Sequence, residues 1–161
     1  MSTKSNTKKL NKGFTLIEIL VVLGIITIIG SISIIMGVDD YRRQLFRSDR
    51  DVLITALQHA RAQSVSNICL GDGCDNGKPH GVYISDDEYI MFQGESYATR
   101  DTDVDAVIDA DSDIEQSGIS EVVFEQLSGD VSSPGDIVLT DSLGRVSTTT
   151  VGSEGQIFWT H

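Results

Sequence analysis

The sequence predicts an α+β fold in which one long N-terminal helix packs on a mostly antiparallel β-sheet. Three observations predict it. Residues 14–38 form an apolar run with a single charge, Glu18. Helical spacing of apolar residues continues past that run to about residue 64. From residue 81 onward, short β-branched and aromatic stretches alternate with turns rich in Gly, Asp and Ser.

The apolar run reads FTLIEILVVLGIITIIGSISIIMGV. As a helix it is ~37 Å long, against the roughly 30 Å of a bilayer's hydrocarbon, so a membrane-spanning helix is expected. A cleaved secretory signal fits poorly. Its apolar stretch is about 7–15 residues and ends in a small-residue cut site, whereas Asp39, Asp40 and Tyr41 follow here. A plain anchor has no use for Glu18, because a carboxylate at membrane depth costs about 2.5–3.5 kcal/mol. The segment Lys12-Gly13-Phe14-Thr15-Leu16-Ile17-Glu18, preceded by Lys4, Lys8 and Lys9, resembles the leader signal of type IV pilins and pseudopilins. The resemblance implies that a prepilin peptidase cuts between Gly13 and Phe14, that Phe14 becomes N-methylated, and that Glu18 guides assembly with other pilin or pseudopilin subunits. A Glu18 buried among such helices needs a cation. The new α-amino group of Phe14, on its own chain or on the preceding subunit, is the nearest candidate and would set axial register.

Charge is unevenly spread. Residues 1–50 carry eight basic and four acidic groups, whereas residues 51–161 carry four basic and twenty acidic ones. Basic residues flank the apolar run on both sides, with Arg42, Arg43, Arg47 and Arg50 after it. The positive-inside count therefore ties and fixes no orientation. The resemblance implies an inner-membrane, single-pass subunit with a cytoplasmic leader at 1–13, a transmembrane and assembly helix at 14–38, and the rest outside the cytoplasm.

Beyond residue 38, Leu45, Val52, Ala56, Ala60 and Gln63 share one face with Leu53, Leu57 and Ser64, while 39–51 is charged on most other faces. This is an amphipathic helix at 39–68 with one core stripe. Joined to the apolar run it makes about 50 residues, ~75 Å. Gly24, Gly30 and Gly37 are points where it could bend. Its end is expected near residues 67–70.

The domain at 69–161 opens on Cys69-Leu70-Gly71-Asp72-Gly73-Cys74. Outside the cytoplasm, two Cys closing so small a ring most simply form a disulfide, which staples a loop for about 2 kcal/mol. A metal site is the alternative, but only His59, His80 and His161 offer imidazoles, at irregular spacing. Strands are expected at 81–84 and 89–92 around the turn 85–88, at 121–127, at 137–140 and 146–151 around Asp141-Ser142-Leu143-Gly144, and at 156–159. The segment Leu57-Gln58-His59-Ala60-Arg61-Ala62-Gln63-Ser64 is similar to the L-x-x-A-R-x-x-A stretch of the GspH/FimT group of minor pseudopilins and pilins, with Ser64 where Ala is common.

Residues 101–115 read DTDVDAVIDADSDIE, with two D-x-D-x-D triplets, Asp101/Asp103/Asp105 and Asp109/Asp111/Asp113. Calcium favours several carboxylates on a flexible loop. Neither triplet places Gly at the sixth position or Glu at the twelfth of an EF-hand loop, so a solvated surface insertion is the plainer expectation and calcium the weaker one. No nucleophile elbow, phosphate loop or zinc signature occurs, so an enzyme is not expected. Nor is nucleic acid, because Arg61, Lys78, Arg100 and Arg145 face twenty carboxylates. The function expected is that of a minor pseudopilin of a type II secretion system, helping assembly and protein export and in reach of secreted cargo. The alternatives are a minor pilin of a type IV pilus, serving assembly, adhesion or DNA uptake, and a plain membrane-anchored receptor.

Overall fold

The computed structural model describes residues 13–160. The side chains of residues 32–38, the leader positions Lys4, Lys8, Lys9 and Lys12, and His161 lie outside that description. The helix α1 spans Leu16–Val65. The chain divides into two compact units between Arg42 and Arg43.

In the first unit, α1 begins where Thr15 supplies an N-cap. The Thr15 hydroxyl and carbonyl both accept from the Glu18 N–H, at 3.3 and 3.1 Å. The apolar side chains from Phe14 to Ile29 are exposed on every face. Among the described residues, no helix is long and apolar enough to cross a membrane. The described part of the apolar run within α1, residues 16–31, is sixteen residues long, short of the roughly 20 that a span needs. The rest of the run falls in 32–38.

In the second unit, the α1 stripe buries Phe46, Leu53, Ala56, Leu57 and Ala60 in one core cluster. Leu45, Val52 and Gln63, expected on the same stripe, lie at its half-buried margin. Asp49 and Arg50, expected on a charged outer face, are buried. The helix stops at Val65 rather than at 67–70, because Asn67 turns into the left-handed region with φ 56°. The Ile68 N–H then reaches the Gln63 carbonyl at 3.0 Å and the Asn67 N–H reaches Ser64 at 3.1 Å, which closes the helix end with a Schellman pair.

Helix followed by antiparallel β-structure is the plan observed, with the strands in two sheets. Sheet A has the order β3-β2-β1-β5, from β1 (His80–Ile84), β2 (Glu88–Gln93), β3 (Ala106–Asp109) and β5 (Glu121–Phe124). Sheet B has the order β4-β6-β7-β8, from β4 (Ile114–Gly118), β6 (Gly135–Asp141), β7 (Val146–Val151) and β8 (Ile157–Thr160). All pairings are antiparallel. The period-2 pattern explains the inward sets: Val82 and Ile84 from β1, Ile137 and Leu139 from β6, and Val151 from β7 enter the cluster with the α1 stripe.

Two elements correct the sequence reading. Residues 101–115 are no loose insertion. They supply β3 at one end of sheet A and the first two residues of β4 at one end of sheet B. Both strands are short and largely exposed, and only Ile114 is fully buried. Their acidic composition hides a β pattern that rests on few apolar residues. The strand expected at 121–127 ends at Phe124, because Leu127 takes φ 68° and its N–H bonds to the Ser64 carbonyl at 2.9 Å.

Candidate functional site

Gly13 and Phe14 precede the first turn of α1 in irregular, exposed backbone. A Cβ built on Gly13 would meet nothing within 4 Å, so the Gly13–Phe14 peptide bond stands clear. Glu18 lies in the first turn, three residues after the Thr15 cap. There its negative charge opposes the positive end of the helix dipole. Thr15-Leu16-Ile17-Glu18 is a Thr-x-x-Glu capping pattern. The sequence reading singles out Glu18 by its charge in the apolar run and by the resemblance, and misses Thr15, which the same four residues signal. The helix start thus sets Phe14 one residue before the cap and Glu18 one turn inside it.

In the second unit, Cys69 and Cys74 are joined in a disulfide with Cα atoms 5.7 Å apart. The buried Gln93 amide clamps the loop. Its oxygen accepts the Leu70 N–H at 2.7 Å and its nitrogen donates to the Leu70 carbonyl at 3.2 Å. His80, expected to be an ordinary surface or partly buried imidazole, is buried at the start of β1 with Nε2 3.1 Å from the Ile68 carbonyl. Burial holds its pKa below the usual histidine value.

The six candidate calcium ligands are dispersed. Asp101 caps the 3-10 turn Thr102–Val104 by accepting the Asp103 N–H. Asp105 pairs with Arg100 at 2.7 Å, and that hydrogen bond raises the guanidinium pKa. Asp109 is exposed on β3, and Asp111 accepts the Asp113 N–H in the turn before β4. Among the described residues, no group of three or more His, Cys, Asp or Glu side chains is arranged to hold a metal ion.

Two buried polar hubs tie α1 to the sheets, and the sequence reading found neither. Asp49 accepts from the Tyr89 hydroxyl at 2.6 Å and from the Asp111 N–H at 3.1 Å, and Gln116 of β4 donates to the Tyr89 oxygen at 3.2 Å. Burial raises the Asp49 pKa, partly offset by those two donors, and burial beside Asp49 pushes the Tyr89 phenol up as well. Ser64 is fully buried. Its hydroxyl donates to the Phe124 carbonyl at 2.9 Å and accepts the His80 N–H at 2.8 Å, joining the end of β5 to the start of β1. The position where the resembled group commonly carries Ala is here a bridge. The signal available was one small hydroxyl on an otherwise apolar stripe.

Residues 8–34 match the family model of the prokaryotic N-terminal methylation motif. The match begins at residue 8 and covers the Gly13–Phe14 bond, the Thr15 cap and Glu18 together. It supports a type IV pilin-like protein, processed by a prepilin peptidase and assembled with other pilin subunits, and it suggests a structural subunit rather than an enzyme. No curated protein and no solved structure matches the chain.

Proposed function

We propose that the chain is a minor pseudopilin of the GspH/FimT kind, a subunit of an inner-membrane-rooted pseudopilus in type II secretion. The observation that carries this reading is the N-terminal constellation: an unobstructed Gly13–Phe14 bond, then a capped helix with Glu18 in its first turn, within the matched motif. The peptidase removes residues 1–13 and methylates Phe14. The apolar helix holds the subunit in the membrane until it passes into the filament. There Glu18, costly in lipid, pairs with an α-amino group of Phe14. The domain from residue 43 lies outside the cytoplasm, where its disulfide persists. With twenty carboxylates against four cations beyond residue 50, its partners are proteins, subunits and secreted cargo, rather than nucleic acid.

Mass spectrometry of the mature chain tests the first step. An N-methylated Phe14 start is expected, and an uncut Met1 start would instead mark a plain anchored receptor. Glu18→Ala tests the second: the variant should be cut but should fail to enter filaments, and normal incorporation sinks the assembly role. Loss of protein export with surface pili intact, on deletion of the gene, supports the secretion reading. The reverse phenotype makes the chain a minor pilin.

A further inference from the structure

The acidic stretch supplies β3, an element outside the matched N-terminal motif. Between one flank of α1 and the outer end of sheet A lies a groove of about 500 Å³. Ser48, Asp51, Val52 and Thr55 form its helical wall, with Met91 of β2 and Ile108 of β3 opposite. Val52, Met91 and Ile108 are half-buried and continuous with the core, so the floor is apolar and rigid. β3 closes sheet A and pairs only with β2. Its outer N–H and C=O groups therefore meet no strand, which is the template for strand addition.

Charge says what fits there. In the β2–β3 register Glu88 stands directly opposite Asp109. Like charges so placed repel, and no described residue forms an ion pair with either carboxylate. Asp51 on the helical wall is paired with Arg50 at 2.7 Å, so the uncompensated charge beside the groove is that of Glu88 and Asp109. A second copy of this acidic domain would add to the repulsion, whereas a segment bearing Lys or Arg would relieve it. Side-chain alternation completes the match. Ile108 faces the helix with its register partner Tyr89, while Val107 and Asp109 face outward. An added strand would turn apolar residues toward Val52, Met91 and Ile108 and its cations toward Asp109 and Glu88.

We propose that this groove takes an extended, lysine- or arginine-bearing segment of a different protein subunit, which adds to sheet A as a fifth strand beside β3. The proposal adds to the subunit reading the chemistry of one neighbour. Its test uses purified protein and is independent of cleavage, so either can fail without the other. The full chain in detergent is mixed with an eight-residue peptide alternating Lys with Val, and hydrogen exchange is followed strand by strand. The Lys peptide is expected to slow exchange of the residue 106–109 amides, more strongly at low salt, whereas the same peptide with Glu for Lys leaves them unchanged. In Glu88→Gln/Asp109→Asn the affinity is expected to fall ~10-fold. That variant loses a repulsion, so its thermal midpoint should be no lower than the parent's, which separates lost binding from lost fold. Equal protection by both peptides, protection at the uncharged edge strand β8 in place of β3, or unchanged affinity in the variant would overturn the proposal.

Discussion

Asp49 is a carboxylate held at 6% exposure by two neutral donors, Tyr89 and the Asp111 N–H. Asp49→Ala would leave both donors without an acceptor in the core, a cost of about 1–3 kcal/mol for each; denaturant unfolding read by the single tryptophan, Trp159, measures it. The pH dependence has a definite sign. A carboxyl whose pKa is raised on folding holds more protons in the native state, so its contribution to stability falls as pH rises through that raised value. The stability advantage of the parent over Asp49→Asn should therefore shrink between pH 4 and neutrality, and a constant difference would show that Asp49 does not titrate in the fold. His80 acts the other way. Its folded pKa lies below the ordinary 6.5. Its contribution is complete above that value and is lost as pH falls through the folded one. Ser64→Ala removes one hydroxyl and strands the His80 N–H and the Phe124 carbonyl together. A loss of about 2–4 kcal/mol is expected, against near neutrality if the site were merely a small core position.

At the scale of elements, α1 was readable because its apolar spacing is long and regular. The paired hairpins β1–β2 and β6–β7 were readable because β-branched runs flank turns built on Asp and Gly. Gly144 has φ 77° in the second turn, and Asp141 there accepts the Leu143 and Arg145 N–H groups. Burial disfavours the charged Asp141, but these bonds and the Arg145 guanidinium outweigh it and lower its pKa. β3 and β4 escaped because Ala106-Val107-Ile108-Asp109 and Ile114-Glu115-Gln116-Ser117-Gly118 carry little apolar alternation of their own. Their conformation comes from the neighbouring strands. Within the candidate site, Gly13, Phe14 and Glu18 were found by motif, whereas Thr15, Asp49 and Ser64 act through partners far away in sequence or through a cap, which residue type alone does not announce. Gly118 ends β4 at φ 100°, where a Cβ would overlap the Asp136 carbonyl oxygen. Gly118→Ala should cost more than 1 kcal/mol and loosen β4 from β6 in hydrogen exchange. Reducing Cys69–Cys74 should cost about 2 kcal/mol at most and raise proteolysis within 69–78, because the Gln93 clamp still holds the Leu70 backbone.

For the molecule as a whole, the two ends of the chain divide the labour. The first fifty residues hold most of the basic groups and the apolar run, and the remainder holds most of the acid. Like charge on two such acidic bodies opposes their contact in solution. The strand order carries a further consequence, for the rate at which the domain forms. β1, β2 and β3 follow one another in sequence and in space, as do β6, β7 and β8. Such neighbouring pairings close short loops and form early. The β1–β5 pairing instead joins His80 to Phe124, across a loop of about forty residues, and Ser64 bonds to both of these residues. The slow step of folding is therefore expected to be the closure of β5 onto β1, with the hydroxyl of Ser64 as the latch that α1 brings to it.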